Sequence, residues 1–394
     1  MLSIDKLHCT GCGACVQKCP KACISFVKDE LGAIMPQIDT ATCIDCGLCN
    51  KVCPIEQQAP KHENQAVFAA VNTDKSVLQN STSGGFFTAL AEYVLTQNGV
   101  VYGCAFEDDF KARHIRIEAV TDIEKLRGSK YVQSDTGDTF KQAENDLKQG
   151  RSVLYTGTPC QIAGLKSFLM RDYPNLITVD IVCHGVGSQA FFDKYMDFMK
   201  RRHGIVKELH FRNKEFAGWS CGGVVVVVSS NGQKGAKRLP YYDYNNYYYY
   251  YFLQGDIYRE SCYTCKYANT NRPGDFTMGD FWGVESYKLD LDTLGGCSLV
   301  IASTEKAKQL MPLLAEKLET AEVTMEQATK ANGQLVHPSN VSAAREKLIA
   351  DFETMDGAQM NAKFRSQNRR KTLKLHLKAL VPFKVKRILR KMRR

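Results

Sequence analysis

Apolar positions in the middle of the chain fall into two rhythms. Residues 66–71 form a short apolar run that predicts a strand, and after Ser81-Thr82-Ser83-Gly84-Gly85 the residues Phe87, Leu90, Ala91 and Val94 recur at helical spacing. A strand is predicted over 100–106. Another follows over 114–120, where Ile115, Ile117 and Ala119 share one side, and a helix is predicted over 139–149. From Arg151 the alternation is clear: strand 152–156, helix 159–170, strand 176–182, helix 189–201. Further strands are expected near 206–211 and 224–228, then strand 297–302 and helix 305–317. Eight tyrosines crowd residues 241–251, and beyond Thr320 the pattern gives no architecture. Alternation of this kind predicts a mixed or partly parallel sheet covered by helices.

The first 58 residues follow another logic. Cys9-x-x-Cys12-x-x-Cys15-x-x-x-Cys19-Pro20 returns 34 residues later as Cys43-x-x-Cys46-x-x-Cys49-x-x-x-Cys53-Pro54, with Gly13 answered by Gly47. This is the ligand spacing of two 4Fe-4S clusters, in which the cysteine before proline crosses to the other cluster. The expected sets are Cys9, Cys12, Cys15 with Cys53, and Cys43, Cys46, Cys49 with Cys19. Zinc is the competing reading, but a closed zinc site wants two ligand pairs and a long spacer, whereas here three ligands sit within seven residues. Two cubanes imply electron transfer.

Composition adds limits. The 394 residues suit two or three domains, and 44% apolar content supports ordinary cores. No apolar run approaches the ~20 residues that cross a bilayer. Thiolate ligands need a reducing compartment, and no cleavable leader precedes Cys9, so a cytoplasmic location is expected, with the inner face of the membrane as the place for any contact. The formal charge of +10 is local: residues 361–394 carry 14 Lys and Arg and no acid, leaving 38 basic against 42 acidic residues elsewhere. Leu373, Leu377, Leu380 and Val381, then Val385, Ile388, Leu389 and Met392 after Pro382, mark apolar faces opposite that charge. The combination suits peripheral contact with an anionic membrane; a tail folded on its own protein and RNA binding are the alternatives, and nucleic acid is the least favoured partner.

The body holds further candidates. Strand 152–156 runs into Gly157-Thr158-Pro159-Cys160-Gln161, which places Cys160 in a first helical turn where amides and the helix dipole favour a thiolate. If strands 152–156 and 176–182 are parallel neighbours, Cys183 of Asp180-Ile181-Val182-Cys183-His184-Gly185 ends near it. Cys262-x-x-Cys265 would complete a four-thiolate site. The other reading makes Cys160 and Cys183 buried apolar residues beside a structural zinc pair. Cys23, Cys104, Cys221 and Cys297 lack ligand spacing and are expected in cores. Ser83-Gly84-Gly85 reads either as a phosphate cradle or as an ordinary capped turn. Lys130 and Tyr131 offer a cation and a ring or are a solvated lysine and a core tyrosine. His184 is a candidate proton-transfer residue or a structural histidine.

Taken together, Ser83-Gly84-Gly85, Gly128-Ser129-Lys130-Tyr131, Gly157-Thr158-Pro159-Cys160-Gln161, Cys183-His184-Gly185, Cys262-x-x-Cys265 and 274–283 (Gly-Asp-Phe-Thr-Met-Gly-Asp-Phe-Trp-Gly) resemble the beta-subunit family of coenzyme F-420 (deazaflavin) hydrogenases and dehydrogenases. The resemblance covers about residues 66–302. It implies FAD, with Ser83, Gly84, Gly85, Ser129, Lys130 and Tyr131 as candidate flavin residues, and a third 4Fe-4S cluster on Cys160, Cys183, Cys262 and Cys265. The expected fold is α+β to α/β: a bacterial-type dicluster ferredoxin (1–58), a mixed-sheet flavin-binding body in two regions (66–150, then 151–320 with the third cluster), and a basic helical tail (361–394). The expected function is passage of electrons from a donor such as reduced ferredoxin, through clusters and FAD, to a small-molecule acceptor; a carbohydrate or its lipid-linked precursor is the substrate guess. The alternative is an electron-transfer subunit docking to a partner oxidoreductase.

Overall fold

The computed structural model describes residues 4–56, 62, 65–228 and 235–379. Thirteen strands occur among them: β1 (Ile24–Lys28), β2 (Ile34–Ile38), β3 (Ala66–Asn72), β4 (Val100–Phe106), β5 (Ala112–Ile117), β6 (Val153–Gly157), β7 (Leu176–Ile181), β8 (Ile205–His210), β9 (Gly223–Val228), β10 (Lys237–Tyr241), β11 (Phe276–Asp280), β12 (Ser298–Ala302) and β13 (Leu318–Val323). The chain divides into two compact units, one of residues 1–189 and 258–340, the other of 190–257 and 341–394.

The first unit contains an eight-stranded sheet in the order β13-β3-β12-β11-β7-β6-β4-β5. Its centre is parallel, β11 with β7, β7 with β6 and β6 with β4, and its outer pairs are antiparallel, so the fold is the expected mixed α/β type. Alternate residues of the central strands feed two cores. Val101, Leu154 and Val179 pack with Phe86, Leu90 and Val94 of the helix Phe86–Thr96. Val100, Tyr102, Val153 and Tyr155 pack with the helices Thr139–Lys148 and Pro159–Leu169. Such two-sided burial explains why these strands read as unbroken apolar runs.

The cysteine-rich segment is built from the antiparallel pair β1–β2 and two short helices, Ala14–Lys18 and Leu48–Lys51, each entered through a left-handed glycine, Gly13 (φ 84°) and Gly47 (φ 71°). Cys12, Ala14 and Val52 belong to the same apolar core as Phe140, Ile162 and Leu165. The compact units therefore do not follow the expected domain borders: residues before the connection share a core with the body and fall in one unit with it. Of residues 59–65, between the first two expected domains, only 62 and 65 are described.

The second unit has the antiparallel sheet β10-β9-β8 and the helices Gln189–His203, Tyr247–Leu253, Arg345–Thr354 and Gly357–Ala379. The tyrosine-rich run becomes its aromatic core, with Tyr248 5.0 Å from Phe192 between ring centroids. The expected tail starts too early. Met360 and Phe364 are fully buried, and the Phe364 ring lies 5.2 Å from that of Tyr250, because the helix Gly357–Ala379 packs its first turns into this core. From Leu380 on, the tail lies outside the described residues, and with it Val381, Val385, Ile388, Leu389 and Met392.

Smaller departures have local causes. The helix expected over 305–317 runs only over Glu305–Leu310 and tightens into a 3₁₀ turn at Met311–Leu314, where Pro312 has no N–H to continue the ladder. The unreadable stretch after it opens with β13, which pairs antiparallel with β3.

Candidate metal centres

The cysteine pattern becomes two cavities. Cys9, Cys12, Cys15 and Cys53 line one, together with Ile4, Phe26 and Pro54. Cys19, Cys43, Cys46 and Cys49 line another. Each set takes three cysteines from one repeat and the fourth from the other. The first set is the inner one, with Cys9, Cys12 and Cys53 buried; in the outer set Cys46 is exposed. The left-handed glycines serve this geometry. With Gly13 at φ 84° the chain turns so that the amide of Ala14 reaches the sulfur of Cys12.

A third set forms at the carboxyl edge of the large sheet. Strands β6 and β7 are parallel neighbours with Gly157 opposite Asp180, so Cys160 and Cys183 follow adjacent strand ends. Cys262 and Cys265 come from the turn after Tyr258, and Cys183 lies within electrostatic reach of Cys160, Cys262 and Cys265. Arg272 holds this turn down. Its guanidinium donates to Asp180 Oδ1 at 2.8 and 2.9 Å and to the carbonyls of Tyr267 and Ile181, while Asp180 Oδ2 accepts from the amide of Gly274. Both partners of this ion pair are essentially solvent-free.

The donor chemistry fits a cationic cluster. Burial pushes the Cys15 thiol up to about 12, Cys262 to about 12 and Cys160 to about 11, and raises Cys9, Cys12 and Cys183 as well. Buried thiolates gathered in fours need a positive partner to ionise, and iron supplies that charge. Among the described residues no group of His, Cys, Asp and Glu is arranged to hold a single metal ion. The sulfurs of the inner and outer sets stand around cavities instead.

Inner and body sets adjoin. Cys12 and Cys160 interact electrostatically, and a Cβ on Gly164, in the helix that begins Pro159-Cys160, would lie 2.9 Å from both Cβ and Sγ of Cys12. Arg259 bridges the two. It donates to Cys9 O (3.0 Å), Gln133 Oε1 (2.8 Å) and Ile34 O (2.9 Å), and its charge lowers the thiol pKa of Cys9, Cys160 and Cys262 against the larger effect of burial. Sequence reasoning missed Arg259 and Arg272. Their only signal was position, three residues before Cys262 and seven after Cys265, and position alone does not distinguish a buried arginine from a solvated one.

The candidate flavin residues separate into two groups. Ser83 Oγ donates to the carbonyls of Cys297 (2.7 Å) and Gly279 (3.3 Å), and the amide of Gly84 donates to Ser298 Oγ. A Cβ on Gly84 would stand 2.1 Å from Ala70 O, so that glycine seats the turn against β3 and β12, while Gly85 (φ 89°) starts the following helix. His184 lies towards this side: burial lowers its imidazole pKa, against the opposing pull of Asp280. At the end of β4, Lys130 Nζ donates to the carbonyls of Lys125, Leu126 and Arg127, and burial brings its pKa down to about 8, near Cys104. Ser129 and Tyr131 are half-buried beside it. Of the four cysteines expected in cores, Cys297 and Cys23 are buried, Cys23 at the outer cavity; Cys104 is half-buried and Cys221 is exposed. Local spacing carries no information on which sheet face or loop a lone cysteine reaches.

Residues 8–56 match the family described as 4Fe-4S dicluster domain. Residues 67–141 match the amino-terminal family, and residues 150–327 the carboxyl-terminal family, of the coenzyme F420 hydrogenase/dehydrogenase beta subunit. The chain belongs to the coenzyme F420 hydrogenase/dehydrogenase beta-subunit family. This family member carries the dicluster domain at its amino end and is an iron–sulfur electron-transfer protein. No curated protein sequence matches it. Among solved structures, a chain from the xenon-derivatised F420-reducing [NiFe] hydrogenase complex of Methanosarcina barkeri is 17% identical, with 79% of this chain and 92% of that chain covered and a TM-score of 0.42.

Proposed function

We propose that this chain is an iron–sulfur flavoprotein oxidoreductase that accepts electrons one at a time from a reduced ferredoxin or similar donor and delivers them in pairs to a small organic acceptor. The observation carrying this reading is the contact of Cys12 with Gly164, which joins the inner cysteine set to the helix bearing Cys160 without intervening solvent. The outer set, with exposed Cys46, is the entrance; the inner set relays; Cys160, Cys183, Cys262 and Cys265 hold a third 4Fe-4S cluster. FAD supplies the conversion between one- and two-electron chemistry. Its place in this reading is the carboxyl edge of the large sheet, the usual ligand crevice of such sheets, near Ser83, His184, Ser129, Lys130 and Tyr131. His184 is the proton-handling candidate there. The family's name makes coenzyme F420 the first two-electron partner to try, both as acceptor and in place of FAD.

A second reading, an electron-transfer subunit without its own substrate, draws support from the internal hydrogen bonds that occupy Ser83, Gly84 and Lys130. Anaerobic purification with iron, sulfide and flavin quantitation separates the two. The enzyme reading expects about 12 iron atoms, four per cubane, and one FAD per chain. Full iron without flavin leaves the carrier; about eight iron atoms removes the body cluster.

The reading places the protein in a reducing, cytoplasmic setting with its basic end on an anionic membrane face. No described helix is long and apolar enough to cross a membrane. Because Phe364 is buried, the matching truncation ends at Ala379, not before Asn361. Vesicles rich in anionic lipid should float the full chain and not the truncated one, and equal flotation removes the membrane contact.

A further inference from the structure

The outer cavity is lined by five cysteines. Cys23 joins Cys19, Cys43, Cys46 and Cys49, and its Sγ stands 3.4 Å from Cys19 Sγ, in sulfur–sulfur contact. It also reaches the thiol of Cys43. The loop Cys19-Pro20-Lys21-Ala22-Cys23 is bent back to make this contact. Ala22 takes a left-handed conformation (φ 50°) that non-glycine residues seldom adopt, and the carbonyl of Cys23 is fixed by the amide of Asp39 at 2.8 Å. The repeat supplies an internal control. Thirty-four residues on, the position equivalent to Cys23 is Gln57, and the inner cavity has cysteines only at its four expected places. The additional sulfur accompanies the set that includes the exposed Cys46.

We infer that Cys23 is a reserve ligand of the outer 4Fe-4S cluster, able to take over the iron bound by Cys19. In the exchange the Fe–S bond to Cys19 breaks and one to Cys23 forms. The proton leaving the Cys23 thiol passes to the released Cys19 thiolate, and no electron is gained or lost. The 3.4 Å separation makes the exchange a local turn of one loop. A cluster near the surface, where solvent and oxidants attack first, is thereby recaptured before its iron is lost.

The inference rests on the outer cluster alone, so it stands apart from the flavin and the body cluster: a parent protein with about eight iron atoms and no flavin would defeat the broader reading and leave the role of Cys23 untouched, whereas a parent lacking the outer cluster's iron would overturn both. In the full chain purified without air, Cys19→Ala should keep the parent's iron content with an altered EPR signal from the outer cluster. Cys19→Ala/Cys23→Ala should lose about four iron atoms per chain. Equal loss in the single and double variants overturns the inference. Should Cys19→Ala yield no soluble protein, Cys23→Ala is compared with the parent during exposure to air. Bleaching of the outer cluster should be at least about twofold faster in the variant if the reserve sulfur normally recaptures iron, and an unchanged rate overturns the inference.

Discussion

Gly164 meets Cys12 so closely that an alanine there would press its methyl carbon to 2.9 Å from the sulfur. Neither side has room to yield, since Cys12 is fixed by its place in the cluster cavity and the helix by Phe140, Ile162 and Leu165. Gly164→Ala should therefore cost about 1–3 kcal/mol as an overpacking change. It should disturb the EPR signal of the inner cluster and leave the outer one unchanged. Denaturation and spectra identical to the parent's would show that the contact does not constrain the cluster.

Arg259 is the positive charge between the inner and body sets, buried to 4% exposure and bonded to three oxygen acceptors and the Met35 sulfur. Arg259→Met removes charge-assisted hydrogen bonds that contribute about 1.5–3 kcal/mol each before compensation. More telling is the redox effect. A cation stabilises the more negative, reduced state of a nearby cluster, so its loss should lower the potential of the inner cluster, and of the proposed body cluster, while that of the outer cluster stays put. A potentiometric EPR titration reads each of them. Arg259→Lys, which keeps the charge but not the fork, should restore the potentials more than the stability.

Much of this arrangement was legible in the sequence because its causes are local. The cysteine spacing encodes both the repeat and the crossing of Cys19 and Cys53, and Thr158-Pro159 encodes the helix start that presents Cys160. The strands β4, β6 and β7 announce themselves as apolar runs. What stayed hidden depends on distant partners. The strand Phe276–Asp280, with Gly274 before it and Gly279 inside it, shows no readable period in the sequence and is made a strand by β7 and β12 pairing on either side of it. Phe364 lies among basic residues and reads as tail until Tyr250 and Tyr251 surround it. Gly84 resembles a phosphate-binding glycine because both roles demand a missing Cβ, and a Cβ built there, 2.1 Å from the carbonyl oxygen of Ala70, shows that packing alone already makes the demand.

The Asp180–Arg272 pair should behave as a buried ion pair that cannot lose one member. Asp180→Ala leaves the guanidinium without its carboxylate in a dry site and should cost about 3–5 kcal/mol. Because Arg272 also grips the carbonyls of Tyr267 and Ile181, the turn with Cys262 and Cys265 should come loose from the end of β7. The double replacement Asp180→Ala/Arg272→Ala should be less damaging than the sum of the singles. Urea denaturation of the four proteins measures the coupling, and strictly additive losses would count against the pair.

His114 gives the fold a pH dependence that can be isolated. Its ring is buried, with Nε2–H donating to the carbonyl of Thr156 at 2.9 Å, which fixes the tautomer and leaves Nδ1 to accept from Ser134 Oγ at 2.9 Å. Ser134 Oγ in turn accepts from Gln161 Nε2, so a second proton on the ring would require the Ser134 hydroxyl to turn its own proton away. Burial pushes the imidazole pKa down from 6.5 to about 4. The unfolded chain thus binds the proton more readily than the folded one across that window. Stability is then complete above pH 6.5 and falls as the pH drops towards 4, by about 1.4 kcal/mol for each unit well inside the window. His114→Gln has no proton to take up at this position. Its stability should change less than the parent's between pH 7.5 and 5.5, by about 1 kcal/mol. The comparison of the two proteins cancels the acid sensitivity of the clusters themselves. Parallel stability profiles would mean that His114 is solvated or already charged in the folded state.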